Sequence, residues 1–243
     1  MIDGRNALVT NVRHFVGAAA ARELVRLGGR VFCHDLAFDA AAARDAFAAT
    51  APGTWPRAEQ GPDALIGALE AEAGPLEILV NNDFHPAVRA PIEDADPAEL
   101  RRGFEALAVA PFRFAAAAAA RMKTRRRGKI VFVTSAAPLR GLPNYSMYAT
   151  ARGAANALML SLAQELAPFN IQVNAVAPNY VASPSYFPPE LTAQPEAMKK
   201  FAEKVPLKRL GTPDEVAAAI GFLVSPGSDF ITGHVLPVAG GWA

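Results

Sequence analysis

The sequence predicts an α/β fold: a doubly wound, mostly parallel sheet of about seven strands with helices on both faces, built as a single domain. Three observations lead there. Short apolar runs of strand length alternate with alanine-rich segments of helical period along the whole chain. The segments between runs are long enough to cross back over a sheet, which parallel pairing requires. A length of 243 residues with 51% hydrophobic composition supplies one large core, and no repeat or linker divides it. Together these describe an arrangement of Rossmann type.

Strands are expected at 6–9, 30–33, 78–80, 130–133, 172–176 and 235–238, each a compact β-branched or apolar run. Helices are expected at 18–27, 39–49, 62–72, 97–106, 108–126, 147–167 and 213–224. The last begins on Thr212-Pro213 followed by Asp214 and Glu215, a helix-start pattern. The stretch 178–197, rich in Pro, Ser and aromatics, reads as one long binding loop or lid.

Composition excludes several classes of function. A net charge of +1 gives no electrostatic reason for a nucleic-acid or anionic-membrane partner. Arg125-Arg126-Arg127 lies where a helix should end, so a solvated helix C-terminus explains it better than a phosphate patch. The only cysteine, Cys33, rules out an internal disulfide and fits a reducing compartment. The alanine run at 115–120, flanked by Pro111, Arg113 and Arg121, is too short to span a bilayer, and strand pattern begins almost at the first residue, which leaves no room for a signal peptide. A cytoplasmic protein is the expectation. No His/Cys/Asp cluster has metal-ligand spacing, so no metal is expected.

In such a sheet, ligands bind beyond the carboxyl ends of the strands. Four segments should meet there: the loop 10–17, Asn81-Asn82-Asp83, Thr134-Ser135 and Pro178-Asn179-Tyr180. Tyr148 and Arg152, four residues apart, share one helix face. A hydroxyl, a phenol and a guanidinium over one pocket make a proton-transfer set. A tyrosine, which ordinarily ionises near pH ~10, becomes a base only if its anion is stabilised. Lowering that value by about two units takes roughly 2.7 kcal/mol, which an adjacent cation can provide. Singly these residues have plain readings, a packed Tyr–Arg pair and a strand-end serine; their combination in an α/β frame points to chemistry.

Almost the whole chain resembles the short-chain dehydrogenase/reductase superfamily. The resemblance rests on the Asn-Asn at 81–82, Ser135, Tyr148, the Asn-x-Val-x-Pro stretch at 174–178, and Thr232-Gly233 with Gly240-Gly241. Three departures stand out: Asn11 and Phe15 replace glycines in the cofactor loop, Arg152 replaces the lysine after the tyrosine, and Asn179 replaces the glycine after Pro178. Together they resemble the halohydrin dehalogenases, through Thr10–Phe15–Gly17 and Ser135–Tyr148–Arg152. A ring at position 15 obstructs a pyrophosphate, which needs bare backbone, and can instead wall a small pocket; the plain alternative is core packing. The amides of the loop Pro178, Asn179, Tyr180, Val181 could form an anion nest.

The resemblance implies a cofactor-independent displacement in a vicinal haloalcohol. Tyr148 would act as base, Arg152 would lower its pKa and Ser135 would hold the substrate oxygen. Halide would leave toward Phe15 and 178–181. The reverse reaction would open epoxides with azide, cyanide, nitrite or halide. Phe84, Pro138, Leu142, Tyr186 and Phe187 would line the substrate pocket, and Asp83 would orient Arg152 or a proton-relay water or, alternatively, be a turn residue. A homotetramer on the 97–126 and 147–167 helices is implied, and the short stretch after Trp242 leaves a tail-built pocket wall open. Asp35 stands where an acid would bind a ribose, or is a structural acceptor. His14 and His85 read as incidental. The competing readings are an NAD(P)-dependent oxidoreductase with an aberrant loop and a non-catalytic small-molecule sensor.

Overall fold

The computed structural model describes residues 1–58 and 61–243. Seven strands, β1 (Asn6–Val9), β2 (Arg30–Cys33), β3 (Thr54–Pro56), β4 (Leu76–Asn81), β5 (Gly128–Val133), β6 (Ile171–Pro178) and β7 (Val235–Val238), form one sheet in the order β3-β2-β1-β4-β5-β6-β7. Every neighbouring pair is parallel. β1 and β5 are buried throughout, as strands covered on both faces must be. The order reverses between β1 and β4, so the loops after these strands open a crevice at the switch point.

Helices cover both faces. One layer holds α1 (Gly17–Arg26), α2 (Ala41–Thr50) and α10 (Pro213–Val224), and packs Val16, Ala20, Leu24, Val216 and Ile220 against Val9, Val31 and Val131. The other holds α3 (Pro62–Ala73), α5 (Ala110–Arg125) and α7 (Ser146–Leu166), with Leu65, Leu69, Phe114, Met122 and Met159 against Leu8, Leu79 and Phe132. Alternate residues of each strand feed the two layers, which is the period-two geometry of a pleated sheet. Helix α10 is closed by a capping box: Glu215 N–H donates to Thr212 Oγ1, and Thr212 N–H to the Glu215 carboxylate.

Three elements differ from expectation. Strand β3 was not foreseen; it is three residues long, ends in proline and sits at the sheet edge, where a missing N–H costs no ladder bond. The expected helices 97–106 and 108–126 are one continuous helix: α4 (Pro97–Phe104) runs through a π turn at Glu105–Val109 into α5. The wider turn lies just before Pro111 and absorbs the ring's clash with the preceding turn, so the proline does not end the helix. At 29 residues this helix is long and apolar enough to cross a membrane, yet half of its most apolar window is buried inside the protein, as for a core helix. Finally, the expected loop 178–197 is partly helical, with α8 (Pro189–Thr192) and α9 (Pro195–Glu203). Prolines that read as loop punctuation here occupy first-turn positions, where their fixed φ suits a helix start. The remaining helix, α6 (Ala137–Arg140), is a single turn.

Candidate active site

The chain places Ser135 just past β5, and Tyr148 and Arg152 on the first turns of α7, where they meet above the sheet edge. Arg152 Nε donates to the Tyr148 hydroxyl oxygen at 3.2 Å. Arg152 is 1% exposed, and its other nitrogens are anchored: Nη1 donates to Val133 O and Nη2 to Asp83 O, both at 2.9 Å. The guanidinium is thus bolted to the ends of two strands, with its planar fork fully used. Ser135 Oγ accepts the Ala137 N–H at 3.1 Å, which leaves its own proton free to donate.

Burial by itself raises the Tyr148 pKa. The Arg152 charge, with hydrogen bonds from Tyr186, Arg152 and Ser135, outweighs it and holds the phenol below its ordinary value. Burial likewise works against the charged Arg152, but the two phenols beside it keep its pKa raised, so it remains a cation. Asp83 is the other buried acid; removal from water pushes it up to about 7, against the pull of Arg152. Its carboxylate accepts from Asn11 Nδ2 at 3.2 Å, and its main-chain carbonyl, not the carboxylate, anchors Arg152. The expected orientation of Arg152 by the Asp83 side chain is therefore corrected.

The loop after β1 is packed with the protein's own groups. Asn11 and Phe15 have φ of 47° and 48°, the left-handed backbone that glycine adopts without cost. Asparagine tolerates it; phenylalanine does so under strain, on the order of 1–3 kcal/mol. Asn82 Nδ2 donates to Asn11 O and His14 O, and Asn82 N–H to Thr10 Oγ1. A Cβ on Gly17 would lie 2.6 Å from Val12 Cα and 2.7 Å from Asn82 Nδ2, so this glycine is required by packing. Phe15 N–H donates to Ser185 Oγ at 2.9 Å. The Asp35 carboxylate accepts from Arg13 N–H and Ala37 N–H, both at 3.1 Å, as a structural acceptor. A nicotinamide dinucleotide, which the fold class brings to mind, does not fit these residues: its pyrophosphate would meet the Phe15 ring, and its ribose acid is engaged.

A cavity of about 660 Å³ opens over Ser135 and Tyr148. Phe15, Leu142, Pro178, Asn179, Tyr180, Val181, Tyr186 and Phe187 line it. Phe84 and Pro138, expected there, do not. Phe84 stacks on His14 (4.7 Å between centroids) behind Tyr186, and Pro138 faces Gly153 of α7. The expected amide nest is only partly available, because Tyr180 N–H donates to Asn179 Oδ1 at 2.9 Å and Asn179 N–H to Val238 O at 3.4 Å. The donors left are the Val181 N–H and the buried Asn179 Nδ2, neither of which is bonded among the described residues. Tyr180, at φ 51°, is backed by Trp242 (5.9 Å), and Arg140 lies over the Trp242 ring at 4.8 Å, so Trp242 buttresses the loop.

Sequence reasoning missed Arg89, Tyr145, Phe201 and Lys204, which also line the cavity. They come from distant segments, and no local pattern marks them. Among the described residues, Arg89 and Lys204 are the only charged ones in the lining, and none there is acidic. His85 is not idle: its Nε2 lies 2.8 Å from Glu99 Oε1. Arg125, Arg126 and Arg127 each engage a neighbour, Glu70, Pro168 O and Glu77 respectively, as a helix terminus would. Among the described residues no group of acids, histidines or cysteine could hold a metal ion.

Comparison with known proteins agrees with this geometry. A family model described as enoyl-(acyl carrier protein) reductase, one of the short-chain dehydrogenase/reductase models, matches residues 13–243. A curated relative, cis-4-hydroxycyclohexanecarboxylate dehydrogenase of Sinomonas cyclohexanicum, is 34% identical, over 98% of this chain and 96% of its own. A solved structure described as a dehalogenation enzyme is 46% identical, with a TM-score of 0.97 over 100% of this chain and 99% of its own. A halohydrin dehalogenase solved with ethyl (2S)-oxiran-2-ylacetate is 41% identical, with a TM-score of 0.92 over 97% and 96%. The chain belongs to the short-chain dehydrogenase/reductase superfamily, and within it to the halohydrin dehalogenase family.

Proposed function

We propose that this protein is a halohydrin dehalogenase that converts vicinal haloalcohols to epoxides, halide and a proton without a nicotinamide cofactor. Tyr148, as phenolate, takes the proton of the substrate hydroxyl, while Ser135 holds the same oxygen. The alkoxide then attacks the neighbouring carbon from behind, the new C–O bond forms as the carbon–halogen bond breaks, and the halide leaves with that electron pair. Holding oxygen and leaving group antiperiplanar is the main contribution of positioning. Halide departs toward Phe15, the Val181 N–H and Asn179 Nδ2. Run backwards, the site opens epoxides with azide, cyanide, nitrite or halide; the cationic, acid-free lining favours such anions. Asp83, poised near neutrality, serves as a store for the released proton, reached through water rather than through Arg152.

The observation that carries this reading is the buried Arg152–Tyr148 pair facing a cavity whose cofactor loop is occupied by Phe15. The dehydrogenase relatives favour a second reading, an NAD(P)-dependent oxidoreductase, but the engaged Asp35 and the Phe15 ring weigh against it. A non-catalytic sensor would have no use for the Ser135–Tyr148–Arg152 set. A homotetramer fits the two apolar faces left open: Phe104, Phe112 and Leu160 on α4, α5 and α7, and Phe222 with Phe230 near β7. The buried, free Cys33 suits a cytoplasmic setting. The experiment is azide opening of a terminal epoxide by nucleotide-free protein. Enzyme-dependent azidoalcohol supports the proposal; none, with turnover appearing only on adding NAD(P), overturns it.

A further inference from the structure

We infer that Tyr186 is a positioning residue whose hydroxyl occupies, in the resting enzyme, the place on the Tyr148 oxygen where a haloalcohol's hydroxyl must bind, so that substrate enters by displacing it. The inference rests on the dehalogenase reading above.

The Tyr148 oxygen has two partners already: Arg152 Nε at 3.2 Å and Tyr186 Oη at 3.2 Å. The Tyr186 hydroxyl faces the same cavity and stands on this oxygen where a substrate proton must arrive. Arg152 cannot withdraw, because it is anchored to Val133 O and Asp83 O. Ser135 lines the same cavity with its proton free for the substrate oxygen, so it does not contest this place. Tyr186 is the partner that can move, since it lines the cavity and comes from the segment between β6 and α8. It also resembles the substrate's reacting end: a neutral hydroxyl directed at the base. Burial raises its pKa, so it keeps its proton and acts as the donor to Tyr148.

The backbone around it is tied. Tyr186 N–H and Phe187 N–H both donate to Ser183 O, at 3.1 and 2.7 Å, and Ser185 Oγ accepts the Phe15 N–H. What yields is therefore the side chain, which rests edge-on against Phe15 (5.1 Å) and Phe84 (5.7 Å). The same Phe15 that fills the cofactor loop thus also seats Tyr186 on the base. The Tyr186 oxygen also accepts a long bond from Arg152 Nη2 at 3.5 Å, so substrate binding gives up both contacts for one alcohol hydrogen bond, which costs affinity but keeps the base oxygen stabilised between turnovers.

The test is Tyr186→Phe, which removes one oxygen and keeps the ring contacts. The midpoint of kcat/KM against pH, which reports the free enzyme, should rise by about half a unit to one unit. The midpoint of kcat, which reports the complex with Tyr186 already displaced, should stay where it is. KM for a haloalcohol should fall about two- to ten-fold, the size of one net hydrogen bond. A residue that merely shapes the pocket would move both midpoints together or neither, and either result, or an unchanged KM, overturns the inference. A second readout needs no turnover: tyrosinate absorbance of the resting protein, with Tyr148→Phe identifying the Tyr148 component. If no haloalcohol releases halide, the dehalogenase reading fails, and this titration alone decides. A Tyr148 ionisation displaced upward in Tyr186→Phe supports the contact; an unmoved one overturns it.

Discussion

Arg152 Nε lies 3.2 Å from the Tyr148 hydroxyl one helical turn earlier, while the same guanidinium holds the carbonyls of Val133 and Asp83 at 2.9 Å. The charge beside the phenol is therefore fixed by two strands and cannot swing away. A lysine in its place would bring a charge but no fork, and could not satisfy both carbonyls while donating to the phenol.

Arg152→Lys and Arg152→Gln should move the pH–rate profile in one direction. The Tyr148 pKa is held down mainly against burial by the Arg152 charge, so losing that charge lets it rise. A base works deprotonated, hence activity appears at higher pH, and each unit of displacement leaves about ten-fold less phenolate below the midpoint. Lysine should move it less than glutamine. Halide release against pH for the three proteins checks this; one shared midpoint would make Arg152 structural.

Asp83 should leave a signature in stability. Burial raises its pKa to about 7, above its unfolded value. Between about pH 4 and 7 the folded protein keeps a proton that the unfolded chain has lost, so the stability present below this window declines as pH rises through it. Asp83→Asn cannot ionise and escapes that decline. The Tm of the variant minus that of the wild type should increase from pH 4 to pH 7, by on the order of a few kcal/mol in stability. A flat difference would mean that Asp83 is ionised in the folded state across the range.

Much of the fold was legible because buried parallel strands such as 6–9 and 130–133 are compact apolar runs, and Ser135, Tyr148 and Arg152 share a spacing that survives without the structure. What escaped has physical causes. Strand β3 has three residues and a proline, too little pattern to read. The break expected between 106 and 108 is absent because a π turn is invisible in sequence. The bond between Tyr186 and Tyr148 depends on a turn held by Phe15 N–H across 170 residues, and the pairing of His85 with Glu99 on a loop meeting α4. Phe84 was misassigned because periodicity says nothing about which side of Tyr186 a loop ring takes.

NAD and NADP should not bind. The Phe15 ring, the Phe15 N–H held by Ser185 and the doubly engaged Asp35 all stand in the way. Calorimetry should register no heat of binding with either nucleotide at micromolar concentration; a micromolar Kd would contradict the reading of this loop.

The protein should sediment as a tetramer. Phe104 and Phe112, 41% and 52% exposed, and Leu160 leave apolar side chains open on α4, α5 and α7, and Phe230 is fully exposed elsewhere; two faces that each pair with their own copy would build a closed assembly of four. Phe112→Glu with Leu160→Glu should lower the mass to that of a dimer or monomer. A wild-type monomer at micromolar concentration would refute this.

The most direct measurement of the central claim is halide release from a simple vicinal bromohydrin by protein freed of nucleotides, run beside Tyr148→Phe. Wild type should release bromide, epoxide and acid in equal amounts with nothing added, and the variant, folded and with the same circular dichroism, should lose about 10²–10⁴ of the rate. Bromide release by Tyr148→Phe near the wild-type rate, or none by wild type until NAD(P) is supplied, would contradict it.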